Sequence, residues 1–302
     1  MGPIIECVPN FSEGRRSEVV DAIVAAIRQG GEVRVLDVSS DADHNRTVVT
    51  FVASPAASGE AAFRATATAQ RLIDLKLHQG AHPRLGATDV IPFIPIRGVT
   101  MAECVSLART VAQRIGSELG IPVYLYEEAA TCPERRNLAD VRKGEYEGLQ
   151  ATLGHDPARD PDFGPATLTG AGATVVGARP PLIAYNVYLN TTDVAVAKAI
   201  AKAIRGSSGG LRGVKALGLL VDGRAQVSMN LTDFRTTPLP RVWALIKAEA
   251  ARYGVVPTES EVVGLIPEDA LLDVAEATLQ LNRFSREQLL ERRLAAFEQT
   301  GD

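Results

Sequence analysis

Two of the four histidines in the chain lie in one short stretch, His78-Gln79-Gly80-Ala81-His82-Pro83-Arg84-Leu85-Gly86-Ala87-Thr88-Asp89. An imidazole titrates near neutral pH, so it can take up a proton and return it within one reaction cycle. The glycines and the proline rule out a regular helix here. The stretch therefore reads as a loop that holds His82 at a surface or a cleft. His78 and His82 are four apart, a spacing that on a helix would suit a shared metal ion. That helix is broken by Gly80 and Pro83, no Glu follows His78 as in a zinc hydrolase, and no cysteine is near. Acid–base chemistry without a metal is the better reading. The plain alternative is a loop histidine bonded to its own backbone.

Three other stretches carry groups that such a histidine would need. Asp37-Val38-Ser39-Ser40-Asp41-Ala42-Asp43-His44 is a polar loop with carboxylates able to orient an imidazole and steady its cation. Asn45 and Arg46 follow it directly, and Arg46 and Arg84 have the planar fork that grips a carboxylate with two hydrogen bonds. Gly164-Pro165-Ala166-Thr167-Leu168-Thr169-Gly170-Ala171-Gly172 is rich in small residues but lacks the lysine and spacing of a phosphate loop. Taken alone it reads as a flexible linker.

The elements that must position these groups follow from periodicity. Ile4–Pro9 is a buried strand, and Asn10–Gly14 a turn. Ser17–Arg28 has helical spacing and stops at Gly30-Gly31. Val33–Val38 and Thr47–Ala53 are strands rich in β-branched residues. Ala56–Leu77 is a helix, Val90–Ile96 a strand, and Thr100–Leu119 a helix opened by a capping box, Thr100 with Glu103. Val123–Tyr126 is a further strand, and Leu138–Leu149 a helical piece. The first four strands and two helices give the order β-α-β-β-α-β of a ferredoxin-like split unit. After Arg179-Pro180-Pro181, where proline breaks any ladder, the order repeats. Leu182–Leu189 is a strand, Asp193 caps a helix to Ile204, and Val214–Val221 and Ala225–Leu231 flank the hairpin signal Asp222-Gly223. Pro240–Tyr253 is a helix and Glu261–Ile266 a strand. Helices Glu268–Leu279 and Ser285–Gln299 complete the chain. The expected architecture is α+β, with two tandem ferredoxin-like units, 1–179 and 180–302, and a ligand cleft between their sheets.

Composition narrows the class. The 302 residues are 46% hydrophobic with a net charge of −4, so a globular core is expected and a basic stripe for nucleic acid is not. No signal-peptide pattern opens the chain, and no apolar run reaches the ~20 residues of a membrane span. Cys7, Cys104 and Cys132 form an odd, widely spaced set that suits a reducing cytoplasm rather than a disulfide framework.

The same stretches carry a family resemblance. The segment from His78 into "DVIPFIP" resembles the central motif of glutamate formiminotransferases, as do Ile4–Arg15, Asn45–Phe51, Arg97–Val105, Gly120–Ala130, Gly144–Leu149, Pro161–Leu189 and Gln226–Phe234. The likeness runs from residue 4 to about residue 280. It implies transfer of a formimino group from N-formimino-glutamate to tetrahydrofolate, with folate in a tunnel between two α/β subdomains. It implies that His82 is the catalytic histidine and that Gly164–Gly172 lines the folate site, where small residues let a flat ring approach the backbone. This segment is shorter than the vertebrate pattern and lacks its tryptophan. Asn45, Arg46 and Arg84 are the candidates for holding the glutamyl donor. The family often has an aspartate where this chain has Ser39, which leaves Asp41, or else Asp37, to assist His82. The chain ends at Asp302, without room for the cyclodeaminase domain of the vertebrate enzyme, so a monofunctional, cytoplasmic homodimer is expected. Formyl transfer from N-formyl-glutamate, or a folate-binding relative without catalysis, are the alternatives. Since no metal ligand set is foreseen, turnover is expected to persist in excess chelator. Loss of turnover that zinc alone restores would overturn that reading.

Overall fold

A computed structural model describes residues 2–80 and 82–300, the side chains of Gln299 and Thr300 excepted; Ala81, inside the histidine motif, lies outside the described residues. The chain is α+β with two sheets, and it divides into two compact units between Pro180 and Pro181.

In the first unit the elements run β1 (Ile4–Cys7), β2 (Asn10–Phe11), α1 (Ser17–Arg28), β3 (Val33–Asp41), β4 (Arg46–Ala53), α2 (Pro55–Leu72), β5 (Thr88–Arg97), α3 (Met101–Arg114), β6 (Val123–Glu127), α4 (Leu138–Val141), α5 (Glu145–Thr152) and β7 (Thr174–Ala178). β1 and β2 lie end to end between β4 and β5, antiparallel to both. Pro9, which has no N–H for the ladder, lies at the break between them. β3 flanks β4 on the outside, and β7 lies parallel between β5 and β6. Counted along the β-α-β-β-α-β stretch, the strands lie in the order fourth, first, third, second.

Alternation along the strands decides what covers each face. Ile5, Cys7, Val49, Phe51, Ile91, Phe93, Leu125 and Val176 point to α1, α2 and α3 and form the main core. Their neighbours in sequence, Val90, Tyr124, Tyr126 and Val175, point the other way and pack with Val141, Leu149 and Leu85. The sheet is thus apolar on both faces near β5, β7 and β6, and α4 and α5 cover the second face there. α1 opens after Arg16 with its buried residues at Val19, Val20, Ile23, Val24 and Ile27, one helical face. The capping box of α3 is present, with Thr100 accepting from the Glu103 N–H and Glu103 accepting from the Thr100 N–H.

The second unit runs β8 (Ile183–Leu189), α6 (Val194–Ile204), β9 (Val214–Val221), β10 (Arg224–Leu231), α7 (Leu239–Ala251), β11 (Pro257–Val263), α8 (Glu268–Leu279) and α9 (Leu290–Thr300). Its sheet is antiparallel in the order β11-β8-β10-β9, again fourth, first, third, second. Asp222 and Gly223 turn the hairpin with φ of 49° and 72°, the left-handed pair that suits the twist of the flanking strands. Ile183, Val187, Ile200, Ile204, Val227 and Ile246 are fully enclosed in its own core.

Several boundaries differ from the sequence reading, each for a physical reason. β3 continues to Asp41, so most of the expected acidic loop is strand; it pairs with β4 down to Asp41 opposite Arg46. Asn10–Phe11 is strand instead of turn, because both neighbours offer ladder partners. α2 stops at Leu72, five residues early. The single helix expected over Leu138–Leu149 is two, broken at Gly144 with φ of 85°. β11 starts at Pro257 and ends at Val263. β7 has no counterpart in the sequence pattern. A strand buried on both faces has no polar alternation, and Gly177, next to its last residue, weakens the strand signal. That glycine is required by space: a Cβ there would lie 2.4 Å from the Tyr126 backbone and ring. Gly177→Ala is accordingly expected to cost about 1–3 kcal/mol by overpacking, read as a fall in Tm. An unchanged Tm would show that β6 and β7 are not so tightly clamped.

Candidate active site

His82 sits on the loop that leaves α2 and enters β5, and that loop is tied on both sides. On one side Asn45 accepts from the Gly14 N–H and donates to the Gln79 carbonyl, both at 2.9 Å. Gly80 fits against this turn only because it has no Cβ, which would meet the His44 carbonyl at 2.3 Å. Ser12 donates its hydroxyl to the Gly86 carbonyl at 2.7 Å and its N–H to Ala87 at 2.9 Å. On the other side Ala87 donates to the Ala171 carbonyl at 2.8 Å, and Ala173 donates to Leu85 at 2.9 Å. Gly172, with φ of 69°, lies flat against Gly86, where a Cβ would be 2.8 Å from its Cα.

The Gly164–Gly172 segment is therefore the immediate neighbour of the histidine loop. Gly164 packs on Gly116 and Ile121. Ala166 and Leu168 join the apolar cluster on the second sheet face. Gly170 accepts from the Leu75 N–H at 2.7 Å, and Thr169 accepts from the N–H groups of Ala171 and Gly172. Pro165, Thr167 and Thr169 remain exposed. A hydrogen-bonded ledge stands where sequence alone suggested a flexible linker.

His82 itself is largely buried, with 10% of its side chain exposed. Its Nδ1 lies 3.4 Å from Nη1 of Arg46, and its Nε2 lies 3.5 Å from Oδ2 of Asp89. Asp89 has almost no exposed surface. One of its oxygens accepts from the Leu85 N–H at 2.8 Å, and the other accepts from Arg142, the residue that ends α4. Burial pushes the His82 pKa below the ordinary histidine value; Asp89 opposes that shift, and Arg46 and Arg142 add to it. The ring is thus neutral at neutral pH. Burial pushes Asp89 up, but Arg142, His82 and the Leu85 N–H together hold it below the usual carboxylate range.

The other expected site residues fall into two groups. Arg46 opens β4 beside His82 and, among the described residues, its guanidinium has no carboxylate within ion-pair distance. Its charge is partly buried, which lowers its pKa, as does Arg142. Arg84 is already committed: it donates to Glu147 through both terminal nitrogens, at 2.7 and 3.0 Å, to Glu145 at 3.0 Å, and to Nδ1 of His78 at 3.2 Å. Asn45, 7% exposed, spends its amide on the two loops it joins. Asp41 is half exposed and caps its own turn, accepting from the N–H groups of Asp43 and His44 at 2.9 Å and meeting Nδ1 of His44 at 2.7 Å. Asp37 lies in β3 opposite Thr50. The carboxylate that the fold brings to His82 is Asp89, not Asp41 or Asp37. His78 bonds the Asn45 carbonyl and Arg84 instead of His82. No cluster of three or more metal-ligating side chains occurs among the described residues.

Asp89 and Arg142 escaped the sequence reading. Asp89 did leave a signal: it is a charge at the start of the most apolar strand of the chain, and a charge so placed must be paired or neutralised. Arg142 left none, being one arginine among several in a polar connection.

Residues 4–179 match the family model described as formiminotransferase domain, N-terminal subdomain, and residues 184–294 match the formiminotransferase domain model. The chain belongs to the formiminotransferase family. Among curated family relatives, the glutamate formimidoyltransferase of Thermoplasma acidophilum is 49% identical over 96% of this chain and 97% of its own length. That of Streptococcus pyogenes is 50% identical over 97% of this chain and 99% of its own. The formimidoyltransferase-cyclodeaminase of Rattus norvegicus is 46% identical over 91% of this chain, which matches 52% of that longer protein. Among the described residues no helix is long and apolar enough to cross a membrane.

Proposed function

We infer that this chain is a glutamate formimidoyltransferase. It moves the formimino group of N-formimino-L-glutamate to tetrahydrofolate, giving 5-formimino-tetrahydrofolate and glutamate. The observation that carries this is identity of about one half, spread over nearly the whole length of two enzymes of that name.

The chemistry requires a proton to change hands. N5 of the folate attacks the amidine carbon of the donor, whose C=N electron pair moves onto its nitrogen. The attacking nitrogen then carries a proton too many. The glutamate nitrogen must gain one before its bond to carbon breaks and the C=N bond re-forms. A neutral imidazole does both, accepting the first proton and delivering it to the second nitrogen. His82 is assigned this role, and its neutral state and loop position support it. Arg46 is assigned the donor's carboxylate, supported by a cation 3.4 Å from the imidazole that, among the described residues, has no carboxylate within ion-pair distance. The Gly164–Gly172 ledge is assigned to folate, supported by its hydrogen bonds to the His82 loop. Asn45 and Arg84, both committed within the protein, hold the loop for Arg46 to work.

The finer fold reading belongs to the same proposal: two tandem ferredoxin-like units, 1–179 and 180–302, with folate seated in a cleft between their sheets, in a homodimer. The identical strand order of the two β-α-β-β-α-β stretches supports its first part.

His82→Ala is expected to lower kcat about 10²–10⁴-fold, the usual worth of a general acid–base group, while folate still binds. Because the base form is required, kcat/KM of the wild type falls as pH drops through the lowered His82 pKa, below the ordinary histidine range. Wild-type turnover in the variant would remove the role. Arg46→Gln is expected to raise the donor KM about 10–100-fold, the worth of one charged hydrogen bond, with N-formyl-glutamate assayed beside the formimino donor to compare the two. An unchanged KM would move the donor carboxylate elsewhere.

A further inference from the structure

We propose that Asp89 and Arg142 are positioning residues that fix one tautomer of His82 and leave its Nδ1 as the working nitrogen. This rests on the catalytic role given to His82 above.

Two contacts demand the same tautomer. Asp89 is ionised and can only accept, and its Oδ2 faces Nε2 at 3.5 Å. Arg46 can only donate, and its Nη1 faces Nδ1 at 3.4 Å. Hydrogen on Nε2 and a lone pair on Nδ1 suit both neighbours; the other tautomer suits neither. Access agrees. Nε2 is fully buried and, among the described residues, has no hydrogen-bond partner of ordinary length, so the ring's small exposed surface lies elsewhere and a substrate cannot reach that nitrogen.

The proton path follows. The N5 proton passes to Nδ1, and the ring becomes an imidazolium whose Nε2–H points at Asp89. The long contact shortens as the charge appears, as catalytic hydrogen bonds often do only in the reacting complex. Nδ1 then returns the same proton to the departing glutamate nitrogen. The Nε2 hydrogen never leaves, and Asp89 stays ionised throughout.

Arg142 sets how strongly Asp89 acts. Its guanidinium bonds the oxygen of Asp89 that faces His82, so it draws off part of the charge that would stabilise the imidazolium. Around the ring stand Arg46 from β4, Asp89 from β5 and Arg142 after α4. Removing the carboxylate charge must lower the ring's pKa, and removing Arg142 must raise it.

The test uses the full chain. Nitrogen-15 spectra of the wild type are expected to show His82 protonated at Nε2, and Asp89→Asn to weaken that preference. In that variant kcat is expected to fall tenfold or more, since loss of a comparable carboxylate–histidine pair costs up to about 10⁴-fold, with the donor KM changed only a few-fold. The acid limb of kcat/KM moves to lower pH in Asp89→Asn and to higher pH in Arg142→Gln. Should Arg142→Gln fail to fold, Arg142→Lys, which keeps the charge but loosens the contact, moves the limb in the same upward direction by less. A wild-type ring protonated at Nδ1, or limbs that stay put or move the same way in both variants, would overturn the proposal. Absence of formimino transfer in the wild type would refute the functional reading instead, and the spectra would still decide the tautomer.

Discussion

A single buried carboxylate organises the site. Asp89 is the second residue of β5, with its charge sealed from water, a placement that costs several kcal/mol unless every oxygen is paired. Its three partners come from two separate parts of the chain: the Leu85 N–H and the His82 ring from the histidine loop, and Arg142 after α4. Satisfying that charge therefore fixes where the loop runs, which way the imidazole faces and where α4 ends. The residues proposed for the chemistry are held by an electrostatic requirement as well as by apolar packing.

Close backbone contact supplies the rest of the rigidity. The loop lies against the Gly164–Gly172 ledge through Gly86 and Gly172, and against the β3–β4 turn through Gly80. At each crossing a Cβ would collide with a carbonyl or a Cα, so glycine here serves proximity, with hydrogen bonds from Ser12, Asn45, Ala87 and Ala173 completing the seam. Ties on both sides narrow where the imidazole can sit, which proton transfer at about 3 Å requires.

A second polar layer backs the first. Asn45, His78, Arg84, Glu145 and Glu147 form a chain of hydrogen bonds from the β3–β4 turn to α5. Burial lowers the His78 pKa, so this histidine stays neutral and donates to the Asn45 carbonyl while accepting from Arg84. The two histidines of the motif thus divide their labour, one holding the frame and the other facing Arg46. Asp41 and His44 close a separate, exposed turn and leave the imidazole to Asp89.

Much of this was legible in the chain. Helical spacing placed α1 and α8 to the residue, the capping box opened α3, and Asp222-Gly223 turned its hairpin, because each depends on contacts a few residues apart. The loop character of the His82 stretch and the family followed from residue order as well. Three things did not. β7 is buried on both faces and carries a glycine, so it has no alternation to read. Arg84 and Arg46 look equivalent in sequence, and only the fold gives Arg84 two glutamates and Arg46, among the described residues, no carboxylate within ion-pair distance. For the partner of His82 the sequence points to the nearby acidic stretch, while the fold supplies Asp89 and, from 53 residues beyond it, Arg142. Local periodicity encodes local structure; which charges meet across a sheet is decided by strand order and burial, and those exist only once the chain has folded.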